Sequence, residues 1–133
     1  MVSRALLPAL LVGALLLAGC ASQKGGQDVS NNPDAFRYSA NWETKSGTDT
    51  YTWSNSKTTA MMNVAVAPGQ GSLLVKVTDA AGKPVWDSGV LAKPSSARTA
   101  TASGAAGNWR IDIVYEGFAG NVTVQAHAGS ASA

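Results

Sequence analysis

Gly107-Asn108-Trp109-Arg110-Ile111-Asp112-Ile113 decides the fold. Trp109, Ile111 and Ile113 share one side of an extended chain, and Arg110 and Asp112 share the other. A period of two with β-branched and aromatic residues on one side is the signature of a half-buried strand. Gly117-Phe118-Ala119-Gly120 then turns the chain, and the alternation resumes. Val122, Val124, Ala126 and Ala128 interleave with Asn121, Thr123, Gln125 and His127.

Working back toward the N-terminus, the same period recurs. Phe36, Tyr38, Ala40 and Trp42 share a face, and so do Tyr51 and Trp53. Met62, Val64 and Val66 form a further strand, closed by Pro68-Gly69. Leu73, Val75 and Val77 form another, with Lys76 and Thr78 opposite. Asp79-Ala80-Ala81-Gly82 carries Asp and Gly at the ends favoured in a tight turn. Val85 and Trp86 begin a short strand, and Arg98 to Ser103 alternates Thr with Ala. No stretch of this region holds a helical period. The expectation is an all-β domain over residues 35–128: a small antiparallel β-sandwich of seven or eight short strands. Residues 129–133 read as a frayed tail.

The opening of the chain is of another kind. Arg4 precedes an uncharged apolar run from Ala5 to Leu17, and Ala18-Gly19-Cys20 follows. The run is shorter than the roughly 20 residues a spanning helix needs, and the order of charge, apolar run and small residues is that of an export signal. Leu17-Ala18-Gly19-Cys20 resembles the lipobox of bacterial lipoproteins. The resemblance implies a signal peptide over residues 1–19, cleavage before Cys20, and a diacylglycerol on its thiol with an N-acyl chain on the new terminus. It also implies a lipid bilayer as partner and the bacterial cell envelope as location. Ala21 is not the Asp that retains lipoproteins at the inner membrane of two-membrane bacteria, which points to the outer membrane where there is one. Cys20 is the sole cysteine, so no disulfide can form within the chain, and lipidation gives an otherwise odd thiol a use. Several acyl chains on one residue anchor far more firmly than a single myristoyl group.

Residues 20–34 are polar, with Asn31-Asn32-Pro33 in succession. They read as a flexible linker spanning on the order of 20 Å as a coil. Beyond the signal, basic and acidic residues nearly cancel, which leaves no basic patch for nucleic acid.

Two stretches are similar to pre-peptidase C-terminal and P-type β-sandwich domains: Gly71 to Val85, a strand, an Asp/Gly turn and a strand, and Gly107 to Ile113, a Gly-x-Trp entry to a core strand. Such domains are appended to secreted enzymes and do no chemistry themselves, so the resemblance implies a non-catalytic fold.

The residues that chemistry would need are sparse. His127 is the lone histidine, without further His or Cys to complete a zinc site or a Ser elbow for a triad. The acids are scattered, and Asp79 and Asp87 suit turn capping. No catalytic residue, metal site or cofactor other than the lipid is expected. The four tryptophans, Trp42, Trp53, Trp86 and Trp109, are many for a small domain. Trp109 reads as core, and Trp42 and Trp53, which share their strand faces with other aromatics, read as core or its rim. Two functions follow. The first is a non-enzymatic envelope lipoprotein acting structurally or through contacts with envelope proteins, with its tryptophans buried. The alternative is a small glycan-binding module, in which Trp86 and Trp53 stack on sugar rings; it requires at least two rings exposed in one groove.

Overall fold

A computed structural model describes residues 25–129. Cys20 and the rest of the signal and lipobox lie outside them, as do residues 130–133. The described chain is all-β and antiparallel: β1 (Gly25–Asn32), β2 (Ala35–Asn55), β3 (Ala60–Thr78), β4 (Pro84–Asp87), β5 (Ser95–Ala100) and β6 (Gly107–Ala128). They pair in the order β1-β2-β6-β3-β4, with β5 also on β3.

Three of these strands are far too long to be flat. Phe36 and Tyr51, both on β2, would stand about 50 Å apart on a straight strand, yet their ring centroids are 5.4 Å apart. The strand therefore folds over on itself, and β3 and β6 fold with it. Register breaks fall between Trp42 and Gly47 on β2 and between Pro68 and Ser72 on β3. On β6 they fall opposite these, around residues 116–120. The inward face changes parity across each break. Buried side chains are even-numbered on one side (Phe36, Tyr38, Ala40, Trp42; Met62, Val64, Val66; Val122, Val124, Ala126). They are odd-numbered on the other (Trp53, Asn55; Leu73, Val75, Val77; Trp109, Ile111, Ile113, Tyr115). Because side chains alternate with a period of two, a one-residue irregularity is what keeps the apolar set facing inward on both sides of the fold.

The result is a sandwich whose two layers are halves of the same strands. One layer runs β1, first half of β2, second half of β6, first half of β3, β5. The other runs second half of β2, first half of β6, second half of β3, β4. Seven or eight short strands were expected in place of these six. The short segments are there, but three pairs of stretches are continuous: Phe36–Trp42 with Tyr51–Trp53, Met62–Val66 with Leu73–Val77, and Trp109–Ile113 with Val122–Ala128.

Two glycines permit the fold. A Cβ on Gly71 (φ 71°) would collide with the backbone oxygens of Glu116 and Gly117, and one on Gly120 (φ 142°) with the Ala67 oxygen. At the bend, β3 and β6 thus touch backbone to backbone.

Two expected boundaries are corrected. Residues 25–34 belong to the domain and not to a linker. β1 pairs with β2 over its whole length, Gly25 opposite Trp42 and Asn32 opposite Ala35. Val29 is half-buried against the core, and the exposed amides on either side of it tie β1 to β2: Gln27 donates to the Tyr51 hydroxyl at 2.9 Å and Asn31 to the Thr52 carbonyl at 2.9 Å. Asp34 (φ 66°) closes the turn, its carboxylate accepting from the Ser56 amide and hydroxyl. The Thr/Ala strand is also displaced: β5 starts at Ser95 and ends at Ala100, pairing with the first half of β3.

Candidate functional site

The core takes most of the aromatic residues. Trp53 is fully buried, donates its indole N–H to the Asn32 carbonyl at 3.0 Å, and meets Trp109 edge-on with centroids 6.1 Å apart. Its ring faces are covered by protein. Trp53 is therefore not a stacking platform, because it stands on the inward face of β2 where the two layers close over it. Trp109 is equally buried, as expected, and Trp42 is nearly so.

Trp42 belongs to a cluster beside the bend. Its indole N–H reaches the Tyr38 hydroxyl at 3.3 Å, and Tyr38 bonds the Tyr115 hydroxyl. Lys45 lays its ammonium over the Trp42 ring at 4.5 Å and over Tyr115 at 5.5 Å, and pairs with Asp49 at 3.4 Å. A desolvated cation over an indole face is attractive by about 1–2 kcal/mol, so the lysine is held by the rings it covers. The second carboxylate oxygen of Asp49 is buried and makes no hydrogen bond among the described residues. Desolvation pushes the hydroxyls of Tyr38 and Tyr115 up, and that of Tyr51 to about 12, with the Asp49 charge adding to each. This cluster is closed by its own side chains.

Trp86 is the tryptophan left partly open. It lies on β4, where the register slips between Val77 and Thr78. Its indole N–H donates to the Thr99 hydroxyl on β5 at 2.8 Å, linking the edges of the two layers. Cavities adjoin it on both sides. One is a basin of about 580 Å³ on the outer face of the second layer, reaching Lys76, Thr78, Arg110 and Asp112. The other is a crevice of about 170 Å³ between the layer edges, lined by Leu91, Ser95, Ala97 and Thr99 among others.

Strand pairing builds the basin floor. Thr50, Asp112, Lys76 and Asp87 stand in one cross-strand row, and Arg110 is opposite Thr78 in the next. Asp112 is fixed by two donors, the Thr50 hydroxyl at 2.7 Å and Arg110 Nε at 3.1 Å. Asp87 is tied to the turn, accepting from the Gly89 amide at 2.7 Å. The floor thus offers donors and acceptors on the outer face beside the edge strand that carries Trp86, whose indole turns toward Thr99 and the crevice between the layer edges. The outward positions of Lys76, Thr78, Arg110 and Asp112 were legible in the alternation. Their convergence on Trp86 was not, since it depends on the register between β3, β4 and β6.

Elsewhere the surface offers less. A shallow trough of about 580 Å³ on the outer face of the first layer runs over Gly26, Asp28, Ser39, Asn41, Asn121 and Thr123, without an aromatic ring. His127 is exposed in a row with Ala35 and Met61. Asp79 is spent on the turn it was expected to cap. It accepts from the amides of Ala81, Lys83 and Ala105, and these bonds, Ala105 first, hold its carboxyl below the usual range. Among the described residues, no three His, Cys, Asp or Glu side chains gather as a metal site.

No family model matches the chain, and no curated protein matches it. Several solved structures resemble it loosely. One is the TmCBM61 structure in complex with beta-1,4-galactotriose, at 10% identity over 85% of this chain and 78% of that one, TM-score 0.46. A second is the CBM36-1 domain of a multidomain xylanase from the hindgut metagenome of Trinervitermes trinervoides, at 15% identity over 84% and 95%, TM-score 0.46. A third is the carbohydrate binding module CBM6cm-2 from Cellvibrio mixtus lichenase 5A in complex with cellotriose, at 14% identity over 79% and 87%, TM-score 0.42.

Proposed function

We propose that this chain is a lipid-anchored, non-enzymatic glycan-binding module, with Trp86 as its stacking ring. The observation that carries the reading is the position of Trp86 between two cavities, beside a floor of fixed polar side chains. A sugar presents an apolar C–H face and a rim of hydroxyls. An indole face suits the first, and a carboxylate held by two donors, with lysine and arginine beside it, suits the second. The requirement of two exposed rings in one groove is not met, since Trp53 is sealed in the core. The Trp86 site is therefore a single-platform site, suited to one or two sugar rings and to weak binding. Contacts with an envelope protein are the competing use of the same surface.

The lipid on Cys20 is part of this proposal. It rests on the sequence from Leu17 to Cys20, and it would hold the module at the envelope without any membrane affinity in the folded domain.

The test is a glycan array followed by titration calorimetry on the mature chain carrying Cys20→Ser, with Trp86→Ala and Arg110→Ala as variants. The expected result is a glycan bound by the parent and weakened about tenfold or more by Trp86→Ala, the loss of one stacking contact. A parent that binds no glycan, or a glycan held equally well by Trp86→Ala, would contradict the proposal.

A further inference from the structure

The lipid-anchor reading and the start of β1 together orient the domain on the membrane. β1 begins at Gly25, so only residues 21–24 separate it from Cys20. Five Cα-to-Cα steps span at most about 18 Å. The polar headgroup zone in which the glycerol of a lipidated cysteine sits is about 5–7 Å deep on each side of the hydrocarbon core, so Gly25 can stand no more than about 13 Å beyond it. Gly25 must therefore lie close to the lipid surface.

Gly25 also identifies which end of the sandwich that is. It pairs with Trp42, at the start of the β2 bend, and Trp42 pairs with Gly120 at the bend of β6. From there β1 runs about 25 Å away from the bend, to Asn32 and the turn at Asp34. The opposite end carries the Asp79 turn, the 101–106 connection and the 56–59 loop.

An independent feature lies at the same end. Val90 is 72% exposed and is the large apolar side chain left in solvent among the described residues. It sits on the 88–94 connection. Leu91 exchanges two backbone hydrogen bonds with Leu73, two residues from the Gly71 bend, and Ser95 pairs with Val66, two residues before Pro68. The connection thus crosses from one layer to the other at the bend end, on the side of the sandwich opposite β1. The end is otherwise small and polar, with Glu43 and Glu116 against Lys93 and no basic cluster. Since a polybasic segment gains about 1 kcal/mol per cation at an anionic surface, electrostatics contributes little here. The contact falls to the lipid chains and to the apolar rim.

We propose that the bend end of the sandwich, with Val90 on its rim, is the face that rests against the bilayer. The domain then stands end-on, and the Asp79 turn points away from the lipid. The inference rests on lipidation of Cys20 and is independent of the glycan reading.

The native lipidated chain lends itself to the test, because its one thiol is consumed. Single substitutions Thr44→Cys and Val90→Cys at the bend end and Lys57→Cys at the far end give three labelling sites. Each labelled protein is reconstituted into phosphatidylethanolamine–phosphatidylglycerol vesicles doped with a headgroup-nitroxide lipid. Flotation reads anchoring, and fluorescence quenching reads proximity. The expected result is flotation of all three, with quenching at positions 44 and 90 at least about fivefold stronger than at 57, given the ~25 Å length of the intervening strand. Flotation with equal quenching at the three sites, or with position 57 quenched most, overturns the orientation and leaves the anchor standing. Failure to float overturns the anchor and the orientation with it.

Discussion

Single residues decide where this chain bends and where it can bind. Gly71 and Gly120 adopt positive φ and have backbone oxygens where a side chain would start. Gly71→Ala and Gly120→Ala should each destabilise the fold by about 3 kcal/mol, strain and collision combined, measured as a fall in denaturant midpoint at constant slope. Trp53 and Trp86 should separate just as clearly. Trp53→Ala opens a core cavity and should cost about 3–5 kcal/mol. Trp86→Ala, at the half-open edge, should cost far less stability and act on binding instead. Alternation along β2 puts Trp53 on a side with Tyr51, at the core or its rim, but does not show how completely the second layer covers it. Trp86 was harder still. It sits at a register slip, so alternation gave no face for it, and its partner Thr99 lies on a strand whose every side chain is exposed.

At the level of elements, the sequence shows segments well and their continuity poorly. Each of the long strands reads as two short ones because the bends are mostly Gly and polar residues, with Phe118 as their one large apolar side chain, and carry no apolar period. The parity change then disguises the two halves as unrelated. β1 was illegible for a different reason. Its inner side carries Gln27, Val29 and Asn31, of which Val29 alone is partly buried, and a strand held by exposed amides looks like a linker until the groups they bond are known. Hydrogen exchange distinguishes the two descriptions. The amides of β1 that face β2 should be protected by orders of magnitude relative to free peptide, whereas a linker over residues 25–32 would exchange at the free-peptide rate. Asn31→Ala should loosen this strand selectively, speeding its exchange while the β3–β6 pairing stays protected.

For the whole molecule, the buried tyrosines and the turn carboxylates set the pH range of stability. The carboxyls of Asp34 and Asp79 titrate below their ordinary value of 3.8, chiefly through the amides of Ser56 and Ala105 respectively. Their contribution is present above about pH 4 and is lost as pH falls through the lowered folded values. Tyr38, Tyr51 and Tyr115 titrate above 10.0, chiefly through burial. Their contribution is present below pH 10 and is lost as pH rises toward the folded values, about 12 for Tyr51. The melting temperature should therefore be flat between about pH 5 and 9 and should fall on both sides. Asp79→Asn should flatten the acid limb.

The central claim is that one tryptophan, Trp86, is the ring this module offers to a glycan. Iodide or acrylamide quenching of intrinsic fluorescence on the mature chain with Cys20→Ser, with and without a bound glycan, tests it most directly. The account predicts that the quencher reaches one of the four tryptophans, that Trp86→Phe removes this accessible fraction, and that the glycan shields it. Quenching that is unchanged by glycan, or an accessible fraction that survives in Trp86→Phe, would contradict it.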